Sequence, residues 1–434
     1  MDKKYWILGG AVLVLIILGT LLLLSNRGTP EASELTLLTY NEDEKNLTDY
    51  ITAFEAKNNV KINFVKVDPQ NYELESLNRL STSKVDIWGI PNSWMPKQHD
   101  KLTPAGVKLS NDNVDNSTYY NSLYPKIVLQ ENIINNNIYG LPVSLDTLVL
   151  FVNNNVRPQN QDLTLEEEEV LSTEVKNWDE LVTKSQLLTE KSGSNISQSG
   201  VALGTEDVTN ASDILTVLMM QYGTQMTNKE KTQATFHTAL NVFGGSNYPG
   251  AAALDFYTSF GKSNNPNYSF SKNLGDPLQA FSDNKIAYYI DYSAKESDIL
   301  RLNPDISYAI KALPQIKATK NPVNFASYET FTVPNSSKNQ TLAWQFLAGL
   351  TQKNNLKTYL ETSKNHPALT ELQDTSEIVD QSIQTAQSWY NPEPTQVTKI
   401  FQDAISQVVT GQKAQTVLDG AAVQVTSLLG KIGN

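Results

Sequence analysis

Cysteine is absent from all 434 residues, so disulfide frameworks, thiolate metal centres and cysteine nucleophiles are excluded. Stability must come from buried cores alone. Histidine is scarce: His99, His237 and His366 lie far apart, with no HExxH arrangement, which argues against a zinc enzyme and gives no metal site. The sequence also has neither a GxSxG elbow nor a phosphate-binding glycine loop, and no catalytic residue or cofactor is expected. The formal charge is -12, and setting aside the three positive and one negative side chains of residues 1–30 leaves about -14 for the remainder. Nucleic acid is therefore not the partner. The acidic run Glu166 to Glu169 lacks the alternating spacing and the glycine of a calcium cage, and a solvated helix face or loop is expected there. There is no internal repeat.

Long hydrophobic runs are missing too, with one exception. Residues 6–24 are apolar and uncharged, preceded by Lys3 and Lys4. A spanning helix needs roughly 20 apolar residues, and positive charge favours the cytoplasmic side. The expectation is a cytoplasmic end at 1–4, a single-pass transmembrane anchor at 5–24, a polar tether at 25–33 and an extracytoplasmic remainder. A cleaved signal peptide is the alternative, but its apolar core is shorter, roughly 7 to 15 residues. About 400 outer residues exceed what one core usually holds, so two domains are expected.

Periodicity then gives the order of elements. A strand at 35–39, a helix with Leu47, Ile51 and Phe54 on one face, a strand at 60–64, a helix at 72–80 and a strand at 85–88 read as β-α-β-α-β. That order implies a parallel sheet with right-handed crossovers. Further strands are expected at 147–152, 286–290, 307–313 and 325–333, and helices from 177, at 212–222, 254–260, 277–281, 342–350, 397–409 and 416–429. Residues 157–176 read as an exposed excursion. Trp88, Trp178 and Trp344, with Val397, Ile400, Phe401, Ala404 and Val408, are assigned to the core.

Five phrases in order carry a resemblance. They are Lys84-Val85-Asp86-Ile87 followed by Lys101-Leu102-Thr103-Pro104; Ile138-Tyr139-Gly140-Leu141-Pro142 with Asp146 and Asn153; and Asn177-Trp178-Asp179-Glu180-Leu181. Ala280-Phe281 with Lys285-Ile286-Ala287, and Ser337-Lys338-Asn339 with Ala343, Trp344 and Phe346, complete the series. Together they resemble the sugar-binding, maltose-binding-protein-like family of extracellular solute-binding proteins of ABC importers, over about residues 35–370. Asn284 stands where that family usually has glycine, Val152 where it often has tyrosine and Val85 where it has proline; the 157–176 stretch is lengthened and the lipid-attachment cysteine is missing.

The resemblance implies the fold class: α/β, two discontinuous lobes joined by a hinge, of the type II periplasmic-binding-protein kind, after one transmembrane helix. The first lobe would hold 34–149 and 322–352, the second 153–318 and 356–434. Ligands of open α/β sheets bind beyond the carboxyl ends of the strands, and sugar sites pair aromatic platforms with acid and amide groups. The candidate ligand-binding residues are accordingly Tyr40, Asn41 and Glu42 after the first strand; Asn92, Ser93 and Trp94 after the third; and Asp146. Tyr292 and Ser293 after the 286–290 strand, Asp213 in the first turn of its helix, and Trp389 and Tyr390 in a polar loop complete the set. Packing is the alternative for Trp94 and Trp389, helix starts for Glu42 and Asp213, and local backbone amides for Asp146.

The function expected is a non-enzymatic, monomeric receptor for a small solute, a mono- or oligosaccharide, passed to an ABC permease. The alternatives are a glycoside-active enzyme, a tethered sensor or adhesin of the same fold, and a receptor for peptides or polyamines.

Overall fold

The computed structural model describes residues 33–432 apart from 111, 159–162, 243–244 and 318–320. The expected anchor and residues 25–32 of its tether lie outside the described residues. Among those described, no helix is long and apolar enough to cross a membrane.

Two sheets organise the chain. The first runs Val60–Lys66, Ser33–Thr39, Ile87–Pro91, Glu329–Thr332, Gly140–Pro142. Its first three strands are parallel, linked by the helices Glu44–Asn58 and Tyr72–Ser81. Alternation decides the faces: Leu35 and Leu37 enter the main core, while Leu38 joins Val85, Trp88 and Tyr72 in a second cluster. Helix Glu44–Asn58 is amphipathic, burying Leu47, Ile51 and Phe54 at helical spacing. Two of the resembling phrases meet in space, because buried Asp86 accepts from Ser337 Oγ at 2.6 Å, Asn339 Nδ2 at 3.2 Å and the Thr36 amide at 2.9 Å.

The second sheet has seven strands. Ala386–Gln387, Asn324–Ser327, Asp146–Asn153, Ile286–Tyr292, Asn195–Val201 and Glu190–Ser192 follow one another, and Tyr308–Ala312 also pairs with Asp146–Asn153. Leu148 to Phe151 are all buried, so this strand reads as an unbroken apolar run rather than an alternating one. The helices Ala211–Gln221, Pro249–Ser259, Pro394–Val409 and Ala414–Ile432 pack together on this lobe.

The single strand expected at 325–333 is two strands. Asn324–Ser327 pairs in the second sheet and Glu329–Thr332 in the first. Tyr328 between them leaves both ladders, because Asn92 takes its backbone: the Tyr328 amide donates to Asn92 Oδ1 at 3.2 Å and its carbonyl accepts from the Asn92 amide at 2.9 Å. A second crossing runs through 142–146. The expected change of lobe at 352–356 is also corrected. Helix Lys353–Ser363 packs on Glu44–Asn58, with Tyr359 Oη donating to Glu42 at 2.7 Å, so the chain leaves the first lobe only beyond residue 363.

The excursion after Asn153 contains the helix Leu165–Ser172, opened by a Thr164–Glu167 capping box, with its acids on the surface. Buried Lys184 closes it, donating to the carbonyls of Val170 and Thr173, both at 2.5 Å. Asn177 caps the next helix, Trp178–Leu188, its Oδ1 accepting from the Glu180 amide at 3.1 Å.

Candidate functional site

Both lobes and the crossing strand contribute to one cavity of about 160 Å³. From the first lobe come Asn92 and Ser93, on the turn after Ile87–Pro91, and Glu131 on the helix Lys126–Asn132. From the second come Asp213 and Tyr292, and the 388–391 segment brings Trp389 and Asn391. Among the described residues the lining holds two carboxylates and no lysine, arginine or histidine.

Each group is fixed by its local structure. Asn210, in the left-handed region at φ 56, opens the helix Ala211–Gln221 and sets Asp213 in its first turn. Tyr292 Oη donates to Asp213 Oδ2 at 2.8 Å, and burial pushes the Asp213 carboxyl up to about 6. Burial also raises Glu131, opposed by donors from Ser388, Tyr328 and Asn92. Asn92 Nδ2 reaches both Glu131 oxygens, at 3.2 and 3.1 Å. Trp389 is half-buried and stacks on Phe401, ring centres 6.4 Å apart and planes 23° apart. Phe401 in turn meets Phe236 edge-on, so the indole rests on the second lobe's core. Asn391 Oδ1 is buried without a protein donor, an acceptor open to a ligand hydroxyl.

The expected residues divide accordingly. Asn92, Ser93, Asp213, Tyr292 and Trp389 line the cavity. Trp94 does not: it stacks on Tyr72 and touches Trp88 in the first lobe's second cluster, with Tyr40 against the same Tyr72. Glu42 is buried under Tyr359 and accepts from Asn46, and Asn41 is exposed with its amide on Thr39 Oγ1. Asp146 finds partners in the protein, since Ser293 Oγ at 2.6 Å and the amides of Ser293 and Ala294 at 3.0 and 2.9 Å occupy its oxygens. That carboxylate ties the crossing strand to the second lobe, and Ser293 is its partner. Tyr390 lies under the Lys231 ammonium, 4.9 Å from the ring centre.

Sequence reasoning missed Glu131, Ser212, Thr216, Ser327, Ser388 and Asn391, which also line the cavity. Glu131 follows an apolar helical stripe and looks like its solvated end. Only the Tyr328 crossing, invisible in the pattern, turns it inward. Ser388 and Asn391, one and two residues from Trp389, were the two within reach of the polar-loop signal.

Residues 49–386 match a family described as bacterial extracellular solute-binding protein. The chain belongs to that family. Among relatives of this solute-binding protein is a galactooligosaccharide-binding protein of Bacillus subtilis (strain 168), 23% identical over 411 residues, covering 92% of this chain and 90% of that one. A solute-binding protein of an ABC transporter from Thermotoga lettingae, bound with alpha-D-tagatose, shares the fold with a TM-score of 0.69 at 20% identity, covering 92% of this chain and 100% of that one. A substrate-binding protein from Listeria monocytogenes in complex with cycloalternan does so with a TM-score of 0.70 at 13% identity, covering 92% and 99%. These likenesses give the solute-binding protein its two-lobed α/β architecture.

Proposed function

We propose that this solute-binding protein is a carbohydrate receptor of an ABC importer, enclosing its ligand between the lobes and passing it to a permease without chemistry. The observation that carries the reading is the cavity lining: an indole platform, two carboxylates, and hydroxyl and amide groups, with no cation among the described residues. Such a wall accepts hydrogen bonds from hydroxyls and repels anions, so neutral sugars fit and phosphorylated or uronic sugars do not. The relatives named for galactooligosaccharide, tagatose and cycloalternan support it. Glu131 has its oxygens occupied by Ser388, Tyr328 and Asn92, which suits a binding wall better than a hydrolytic acid pair. The receptor acts as a monomer, held outside the membrane by residues 5–24, with 1–4 in the cytoplasm.

Thermal unfolding of the purified protein tests this reading. A ligand bound only by the native state stabilises it by RT ln(1 + [L]/Kd), so a micromolar ligand shows at millimolar concentration. Neutral galacto- or malto-oligosaccharides should raise the midpoint while glucuronate and glucose phosphate leave it unchanged. A shift with peptides or polyamines and none with sugars would overturn the carbohydrate reading.

A further inference from the structure

The segment that carries Trp389 is fastened across the cleft at both of its ends. Ala386–Gln387 pairs with Asn324–Ser327 in the second sheet, Trp389 stacks on Phe401, and helix Pro394–Val409 packs within the second lobe. Residues 388–393 therefore move with that lobe. Yet Ser388 Oγ donates to Glu131 of the first lobe. Five residues later, Glu393 Oε2 accepts from Lys97 Nζ at 2.6 Å, and Lys97, on the short helix Met95–Gln98, also holds Glu73 of the first lobe. The side chains of Lys97, Glu73 and Glu393 retain only 21, 33 and 22% of their exposure, so this bridge is better shielded than an open surface pair. Separating the lobes must break both contacts, and Trp389 and Asn391 lie between them.

We infer that Lys97 and Glu131 are positioning residues that clasp the 388–393 segment to the first lobe and so hold Trp389 and Asn391 over the bound solute. The inference rests on reading this cleft as the solute site. Neither residue need touch the ligand through its clasping atoms. Breaking the clasp favours the open form, so it acts mainly on how fast ligand escapes.

The absence of cysteine makes the test direct, because two introduced cysteines take spin labels at unique places. Thr52→Cys lies exposed on helix Glu44–Asn58 and Val423→Cys on Ala414–Ile432, one per lobe. In the full chain held in lipid nanodiscs, a closed label distance should accompany a longer open one without ligand and grow when galactooligosaccharide is added. Lys97→Met and Glu393→Gln should each shrink the ligand-free closed fraction, and Lys97→Arg should restore it. Lys61→Met, which breaks an exposed pair with Glu55 inside the first lobe, should change nothing. With galactooligosaccharide as probe, Lys97→Met should release ligand at least severalfold faster. Distributions for Lys97→Met and Glu393→Gln identical to the parent's would overturn the clasp. Failure of the parent itself to bind the probe would count against the solute reading alone, since the distance distributions judge the clasp without ligand.

Discussion

A half-buried carboxylate facing a cavity with no cation among its described lining residues depends on neutral donors. Asp213 has one from Tyr292 and titrates near 6, so at neutral pH it is charged and can accept from a sugar hydroxyl. Lowering the pH through 6 removes that acceptor, and affinity should fall. Stability should move the other way. Asp213 and Asp291 both have folded values raised from 3.8 to about 6, so on acidification the native state takes up these protons before the unfolded chain does, and their contribution rises as pH falls from 6 towards 4. Calorimetric titration across pH 5 to 8 checks this, with Asp213→Asn expected to bind weakly and with a flattened profile. Asn284 shows another single-residue solution. It stands where the resembling family usually has glycine, and its φ of 61 explains the exchange: asparagine tolerates the left-handed region, and its Oδ1 accepts from Asn153 and Asn155, both at 3.1 Å.

Elements were legible where periodicity and caps were strong. The β-α-β-α-β opening, the Asn177 cap and the late helices all follow from spacing and end signals within each segment. What decided the rest was tertiary. Nothing in residues 325–333 announces a break, since it is set by Asn92, more than two hundred residues away. Leu356 and Tyr359 mark a packed helix face but not which lobe receives it. The site divides the same way: strand-end position and residue type point to Asn92, Ser93, Asp213, Tyr292 and Trp389. They cannot tell Trp94 from a cavity tryptophan, because its neighbour Tyr72 lies on another element. The excursion helix gives an element-scale prediction. Lys184→Met keeps the buried stem but leaves the carbonyls of Val170 and Thr173 without their donor, a loss of about 1–3 kcal/mol in denaturant unfolding. An unchanged midpoint would mean that packing of the stem is what matters.

At the scale of the whole molecule, two sheets share a cavity because the chain crosses between them at 142–146, at Tyr328 and beyond residue 363. Asp146 ties one crossing strand to the second lobe, and Asn92 holds another to the first. In the proposed function, hinge closure about such crossings turns ligand binding into a change of shape that a permease reads. The central claim is that a neutral sugar lies in this cavity against Trp389. Titration calorimetry of the parent and of Trp389→Ala with galactooligosaccharide tests it most directly. The account predicts binding by the parent and affinity about tenfold or more weaker in Trp389→Ala, about 1.4 kcal/mol or above, with cooperative unfolding retained. Equal affinity in the two proteins would contradict it.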